Sequence, residues 1–460
     1  MGRWKEGGSL PTVGTERLSY REAIRRFSRN AKLYLGYSAL SSVNSSIFLV
    51  AFAFYLEELF IPGRANPGTQ VLFLGVPMLV PTFIGLALAA QAAAHGANSL
   101  PSGLIADRYG RKRSFILASL VVAFAGVAIL ITADPLFLVL LAVIVGIGEA
   151  FHGVVGGPFL MESSRPEERM HLFSLGSNFS TISAVAGAFL GGVLPALFTG
   201  WIEAANPALG PIAYGTARAT ALRLTLFMAL PFGLIELIPL AFMKESFAPV
   251  VARLRDVLRM KHVTHRLTVG QLCTITLAYG AGLGLYFPLL NLHFEHTYEV
   301  HAEEFGPITA LNYIGIAFAV LLAPAIVARV GKVRSIAATR LAAVPFLIGL
   351  AFVGNLYLAT LFFVLRGAVA NLSSPVAGSF EMEVVDTGER ATTAGFTHAS
   401  FDLSYGGTIA IGGLLLAVGG FWLGFVAAAL LYVVSALMWF SYFGRHPVEI
   451  ASRRPAVAVG

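Results

Sequence analysis

Residues 103–113 read GLIADRYGRKR. Four cations, one carboxylate and two glycines stand together directly after an apolar run that begins near residue 78. The chain as a whole is only 12% Asp, Glu, Lys and Arg, against about 25% in soluble globular proteins. Charge this concentrated in so oily a chain reads as punctuation, ending one membrane-crossing helix and turning tightly into the next. Composition agrees: of 460 residues, 56% are hydrophobic and the mean hydropathy is +0.75. The 48 glycines suit close packing of membrane helices. A single cysteine, Cys273, excludes an intrachain disulfide. The net charge of +7 points to membrane orientation rather than nucleic acid.

Crossing about 30 Å of hydrocarbon takes roughly 20 apolar residues in a helix. Twelve runs qualify: 33–57, 78–104, 114–133, 136–161, 172–199, 220–243, 267–294, 304–328, 335–354, 357–381, 393–418 and 421–443. The stretch 59–80 is the least clear. With a cytoplasmic amino terminus, 27 of the 32 Lys and Arg residues fall on the inside, 3 outside and 2, Arg340 and Arg366, within spans. That asymmetry predicts both termini in the cytoplasm, in a multi-pass protein of the cytoplasmic (plasma) membrane. The segment 1–32 reads either as an inner-leaflet amphipathic helix or as a plain basic anchor.

Residues 244–266 form the longest polar connection and divide the chain into six-span halves, 33–243 and 267–443, leaving a tail at 444–460. A repeat supports the division. Shifted by 221 residues, Gly110 meets Gly331, Arg111 meets Lys332, and Met161-Glu162 meets Met382-Glu383. In the same register Glu168-Arg169 meets Glu389-Arg390, and Gly191-Gly192 meets Gly412-Gly413. Charges and glycine pairs match, not leucines, so shared oiliness does not explain the register. Two parallel halves with a substrate site between them near mid-depth is a transporter design.

In this topology the opening stretch resembles the signature loop of the major facilitator superfamily, G-x-x-x-D-R/K-x-G-R-R/K. Gly103, Asp107, Arg108, Gly110, Arg111 and Lys112 fill its positions. The resemblance implies an all-α polytopic fold of twelve spans in two pseudo-symmetric six-helix bundles. It also implies that Asp107 latches the cytoplasmic side in the outward-open state, against span eleven and a neighbouring cation. A purely topogenic basic loop is the plainer reading, but it needs neither Asp107 nor the glycines. The second copy, PAIVARVGKVR at 324–334, has Pro324 and Ala328 in place of the glycine and the aspartate. Two weaker likenesses are Glu162-x-x-x-Pro166-x-x-Arg169, one residue out of step with a family loop, and Gly187-Ala188-x-x-Gly191-Gly192. The latter is similar to an antiporter element but lacks its proline, and such glycines also serve ordinary packing.

Ionisable groups at mid-depth are expensive and therefore functional candidates. Glu149 and His152 are three apart, hence on one helix face, and His152 is expected to orient Glu149 as a coupling-proton carrier. Hydrogen bonding within its own bundle is the competing role for Glu149. Arg366 and Asp402 come to similar depths at ~1.5 Å per residue, close enough to pair, either for coupling or as a structural staple. His95 and Glu236 read as packing or gate residues, and Asn44, Tyr279 and Asn291 as cavity candidates. His293, His296 and His301 with their neighbouring glutamates match no closed metal site.

The expected function is a secondary transporter of a small or amphiphilic solute by alternating access, proton-coupled, with efflux favoured. The alternatives are a lipid flippase or scramblase, a divalent-metal transporter, and a membrane enzyme. No G-x-x-x-x-G-K-S/T phosphate loop occurs to drive transport by ATP, and no nucleophile–His–carboxylate set marks an enzyme. The expected partners are a small-molecule or lipid-like substrate, protons and membrane lipids. No cofactor and no nucleic acid are expected, and the chain is expected to act as a monomer.

Overall fold

The computed structural model of the chain describes residues 20–61, 68–165, 168–205, 211–245, 263–386 and 389–452. Twelve helices among them are long and apolar enough to cross a membrane. They are Arg29–Phe60, Val80–Tyr109, Arg111–Ile131, Pro135–Glu162, Leu175–Ala205 and Thr216–Phe242, then Arg266–Tyr298, Ala302–Leu322, Lys332–Phe352, Leu356–Glu383, Thr392–Val418 and Phe421–Phe443. These are spans one to twelve. Each overlies an apolar run read from the sequence, and they form two six-helix bundles. Spans one and twelve begin and end at one face, the terminal face; the opposite one is the far face. Most of segment 1–32, the linker residues 246–262 and Pro166 lie outside the described residues, and so does the side chain of Arg169.

Short polar residues start several spans by capping free backbone N–H groups. Ser28 accepts from the Ala31 N–H, Asp134 from that of Phe137, and Asn355 from that of Leu358. Tight turns at the terminal face rest on glycine. Gly110 and Gly331 adopt φ of +103° and +93°, a region closed to most side chains. The repeat then recurs as contacts. Arg111 pairs with Glu162 at 2.8 Å, and its counterpart Lys332 pairs with Glu383 at 2.5 Å. The Lys112 N–H donates to Glu245 Oε1 at 3.2 Å, and the Val333 N–H to Glu449 Oε2 at 2.8 Å. Each half thus caps the amino end of its third helix with a carboxylate of its own.

The unclear stretch before span two contains a feature the sequence reading did not anticipate. Gln70–Phe73 pairs antiparallel with Val76–Leu79 in a two-stranded hairpin. Its turn residues, Leu74 and Gly75, have φ of 50° and 81°, as a two-residue hairpin turn requires. Span seven is interrupted at the short turn Phe287–Leu289, and spans six and ten are irregular at Glu236 and Ser373, where the backbone stays in the right-handed helical region.

The largest apolar core crosses between the halves, taking Phe54, Tyr55 and Phe83 from one and Tyr286, Phe294, Phe305 and Phe363 from the other. Smaller cores belong to single halves. One joins Tyr37, Phe115, Phe159 and Leu240; the other joins Phe380, Trp439 and Phe443. Large apolar side chains such as Phe124, Phe318, Leu267 and Val418 stand exposed on the spans, where lipid would cover them.

The halves meet along spans two and eleven, and along five and eight, through glycine. A methyl group on Gly85 would lie 3.0 Å from the Gly413 Cα, and one on Gly306 2.6 Å from the Gly192 Cα. On Gly96 it would lie 2.8 Å from the Asp402 Cβ. These contacts set the backbones of the two halves directly against each other.

At the terminal face Glu389 ties the loop before span eleven to the start of span seven. It accepts from the backbone N–H of Thr264 and sits 3.1 Å from His265 Nδ1. Those hydrogen bonds, the Thr264 N–H first among them, hold its carboxyl down to about 2 from the ordinary 4.5. A lowered value means the tie is at full strength above the ordinary carboxylate range and is lost only as pH falls toward 2.

Candidate functional site

A cavity of about 390 Å³ opens between the halves, walled by spans one to four and six on one side and by spans seven and eleven on the other. Its polar lining comprises Asn44, Ser45, Gln91, His95, Ser119, Glu149, Glu236, Asp402 and Tyr405. Phe48, Phe52 and Phe401 supply aromatic surface. Pro288, in the interruption of span seven, lines the cavity. Non-α backbone within a span is tolerated where it lines such a cavity.

Three polar contacts organise the wall. Gln91 Nε2 donates to Glu149 Oε2 at 2.9 Å. His95 Nδ1 lies 3.3 Å from Asp402 Oδ2, joining span two of one half to span eleven of the other. Ser119 donates to Glu236 Oε1 at 2.6 Å, while Glu236 Oε2 is buried without a hydrogen-bond partner.

Several placements differ from those expected. His152 does not orient Glu149: its Nδ1 meets the hydroxyl of Tyr37, and its ring stacks on that tyrosine at 5.7 Å. The i,i+3 spacing puts both residues on one side of span four, but span two claims the carboxylate and span one the imidazole. Arg366 does not pair with Asp402. Its guanidinium, 2% exposed, lies 5.5 Å from the ring centroids of Tyr286 and Phe287, and Asp402 faces His95 instead. Tyr279 lies away from this cavity, under the guanidinium of Arg340 at 4.2 Å. Asn291 lines a small cavity of about 20 Å³ beside Asn312 and Thr309, adjoining the main one at Leu49 and Pro288. Asn44 does line the main cavity, as do His95 and Glu236, which read in the sequence as packing or gate residues.

Gln91 was missed. The signal was available: Gln91 and His95 are four apart among alanines in QAAAHGANS, hence on one helix face.

At the loop 103–113, Arg111 also approaches Asp107, at 3.4 Å one helical turn away, and Lys112 Nζ donates to the carbonyls of Ala241 and Met243. Gly103 faces Val154 of span four, and Arg108 lies 5.4 Å from the ring centroid of Tyr109.

The far face carries a different polar group. Arg218 pairs with Glu58 at 2.7 Å within one half and reaches Glu295 of the other at 3.7 Å. His296 meets Glu57 across the halves at 2.6 Å, and His301 lies 3.5 Å from Glu295. The histidines once weighed as metal ligands are thus dispersed: two face separate carboxylates, and His293 packs against Phe421 and Phe425.

A family model described as Major Facilitator Superfamily matches residues 33–261 and 272–459. Solved transporters share the fold at low identity. A D-xylose–proton symporter superposes with a TM-score of 0.66 at 14% identity, over 92% of this chain and 98% of its own. A bacterial homologue of the human lysosomal transporter Spinster, inward-facing and occupied, gives 0.65 at 16%, over 95% and 98%. The human organic anion transporter MFSD10 gives 0.63 at 16%, over 89% and 99%. No curated protein matches the sequence.

Proposed function

We propose that this chain, which belongs to the major facilitator superfamily, moves its solute through the cavity by alternating access coupled to protons. Both termini lie in the cytoplasm on this reading, supported by the 27-to-3 distribution of Lys and Arg. Export in exchange for protons is the favoured direction.

The observation that carries the proposal is the His95–Asp402 contact, which bridges the halves within reach of Glu149 on one cavity wall. Glu149 is held by a neutral amide. A carboxylate in that setting tolerates a dry, occluded cavity when protonated and needs water or a cation when ionised. The imidazole of His95 is the nearby group that can supply a cation or receive a proton. A proton on Asp402 removes the charge from its contact with a cationic His95 and so weakens a bridge between the halves. Protonation at this wall therefore changes how strongly the bundles hold together, which is the coupling that alternating access needs.

The test uses full-length protein in liposomes enclosing a pH-sensitive dye, with solutes chosen for their ability to raise its melting temperature. Wild type should move protons when such a solute is added, and Glu149→Gln should not, while still exchanging solute across the membrane. Proton movement in Glu149→Gln at the wild-type rate would remove Glu149 from the role. No solute-linked proton movement in wild type would remove the coupling altogether.

A further inference from the structure

We infer that the solute is a lipophilic organic cation and that Glu236 is its counter-ion. The inference rests on the reading of this cavity as the transport site.

Among the described residues the wall carries three carboxylates, Glu149, Glu236 and Asp402, and one basic side chain, His95. The buried guanidiniums of Arg340 and Arg366 lie elsewhere, against the rings of Tyr279 and Trp439 and of Tyr286 and Phe287. Glu149 and Asp402 already face Gln91 and His95.

Glu236 differs. It is 4% exposed, is met by the Ser119 hydroxyl at Oε1, and leaves Oε2 out of hydrogen-bond geometry. A buried carboxylate oxygen with no partner is costly. A cation arriving through the cavity would satisfy it.

The surroundings define the rest of the ligand. Phe48, Phe52, Phe401 and Tyr405 offer ring faces, which attract cations as well as apolar groups. Most of the remaining wall is aliphatic, and about 390 Å³ falls within the range of roughly 300–1,000 Å³ typical of drug-sized sites. An anion would meet three carboxylates. A sugar would want several free amides and hydroxyls; with Gln91 and Ser119 engaged by carboxylates of the protein, Asn44, Ser45 and Tyr405 are the neutral polar groups left on a wall that is mostly aliphatic and aromatic.

Tetraphenylphosphonium and tetraphenylborate have nearly the same shape and opposite charge, so together they isolate the sign. Purified full-length protein should bind the phosphonium at least tenfold more tightly than the borate. Glu236→Gln should lose at least tenfold of the phosphonium affinity, and Glu236→Asp should keep most of it. Equal affinity for the two ions, no phosphonium binding, or unchanged affinity in Glu236→Gln would each overturn the inference. The comparison of ions in wild type needs no variant, so misfolding of Glu236→Gln would leave the test standing. The outcome is separable from proton coupling. Protons moving with a neutral or anionic solute while the phosphonium does not bind would sink the cation reading alone. Phosphonium binding without any proton movement would sink the coupling alone.

Discussion

The two faces of the molecule are held in different ways. At the terminal face each bundle is braced to itself, by Arg111–Glu162 in one half and Lys332–Glu383 in the other, over separate apolar cores. At the far face the bundles are braced to each other, by Arg218–Glu295 and His296–Glu57 over a shared core. The difference teaches where conformational change is resisted. Parting the terminal face leaves each internal brace intact. Parting the far face breaks buried polar contacts and uncovers apolar surface.

The sharpest way to break this comparison is Arg218→Met. It removes the guanidinium that Glu58 and Glu295, both about 2% exposed in their side chains, share. Removing one partner of a buried ion pair costs about 3–5 kcal/mol, so thermal unfolding in detergent should show a large fall in melting temperature. An unchanged melting temperature would mean that the far face is not locked by this group.

Next in size is Gly110→Ala. The backbone there has φ of +103°, and a Cβ would collide with the Glu245 carboxylate. The strain should cost about 1–3 kcal/mol, read as a smaller fall in melting temperature. Gly331→Ala, at a similar φ, should cost a comparable amount if the halves share the turn for the same reason. Indifference at both positions would make the repeat a resemblance of sequence without mechanical content.

The smallest effect sharpens the comparison most. Arg111→Met and Lys332→Met each remove a partly exposed pair worth about 0.2–1 kcal/mol. Because each brace serves its own half, the double variant should equal the sum of the singles within about 0.5 kcal/mol. Non-additivity beyond that would show that the terminal face is coupled across the halves after all.

How much of this was legible in the sequence follows from what sets each feature. Span number and the two-bundle plan were legible because charge is excluded from hydrocarbon-facing helix and so marks its ends, and because the same charges and glycines recur in one register. The cavity contacts were not. Residue counting gives the depth of Arg366 and Asp402 but not the direction each faces around its helix, and direction decided that they do not meet. Helical spacing put His152 beside Glu149, but partner choice depended on which neighbouring spans crossed there, and these were two different helices. Glu236 read as a packing or gate residue because residue counting gives its depth in span six but not the cavity its side chain lines. The hairpin at 70–79 escaped because Leu74, a residue with little preference for positive φ, occupies its turn.

The glycine seam between spans two and eleven has one more consequence, and it concerns speed rather than position. Interlocked side chains would have to climb over one another for the bundles to shift, giving a few deep and widely spaced resting points. Backbone against backbone, as at Gly85 with Gly413 and at Gly96 with the Leu403 N, presents a nearly featureless surface to slide on. Small sliding motions of packed helices are one of the ways domains move, and this seam makes such motion cheap in friction. The polar bridges then decide which state is occupied, while the glycines decide how quickly the molecule passes between states.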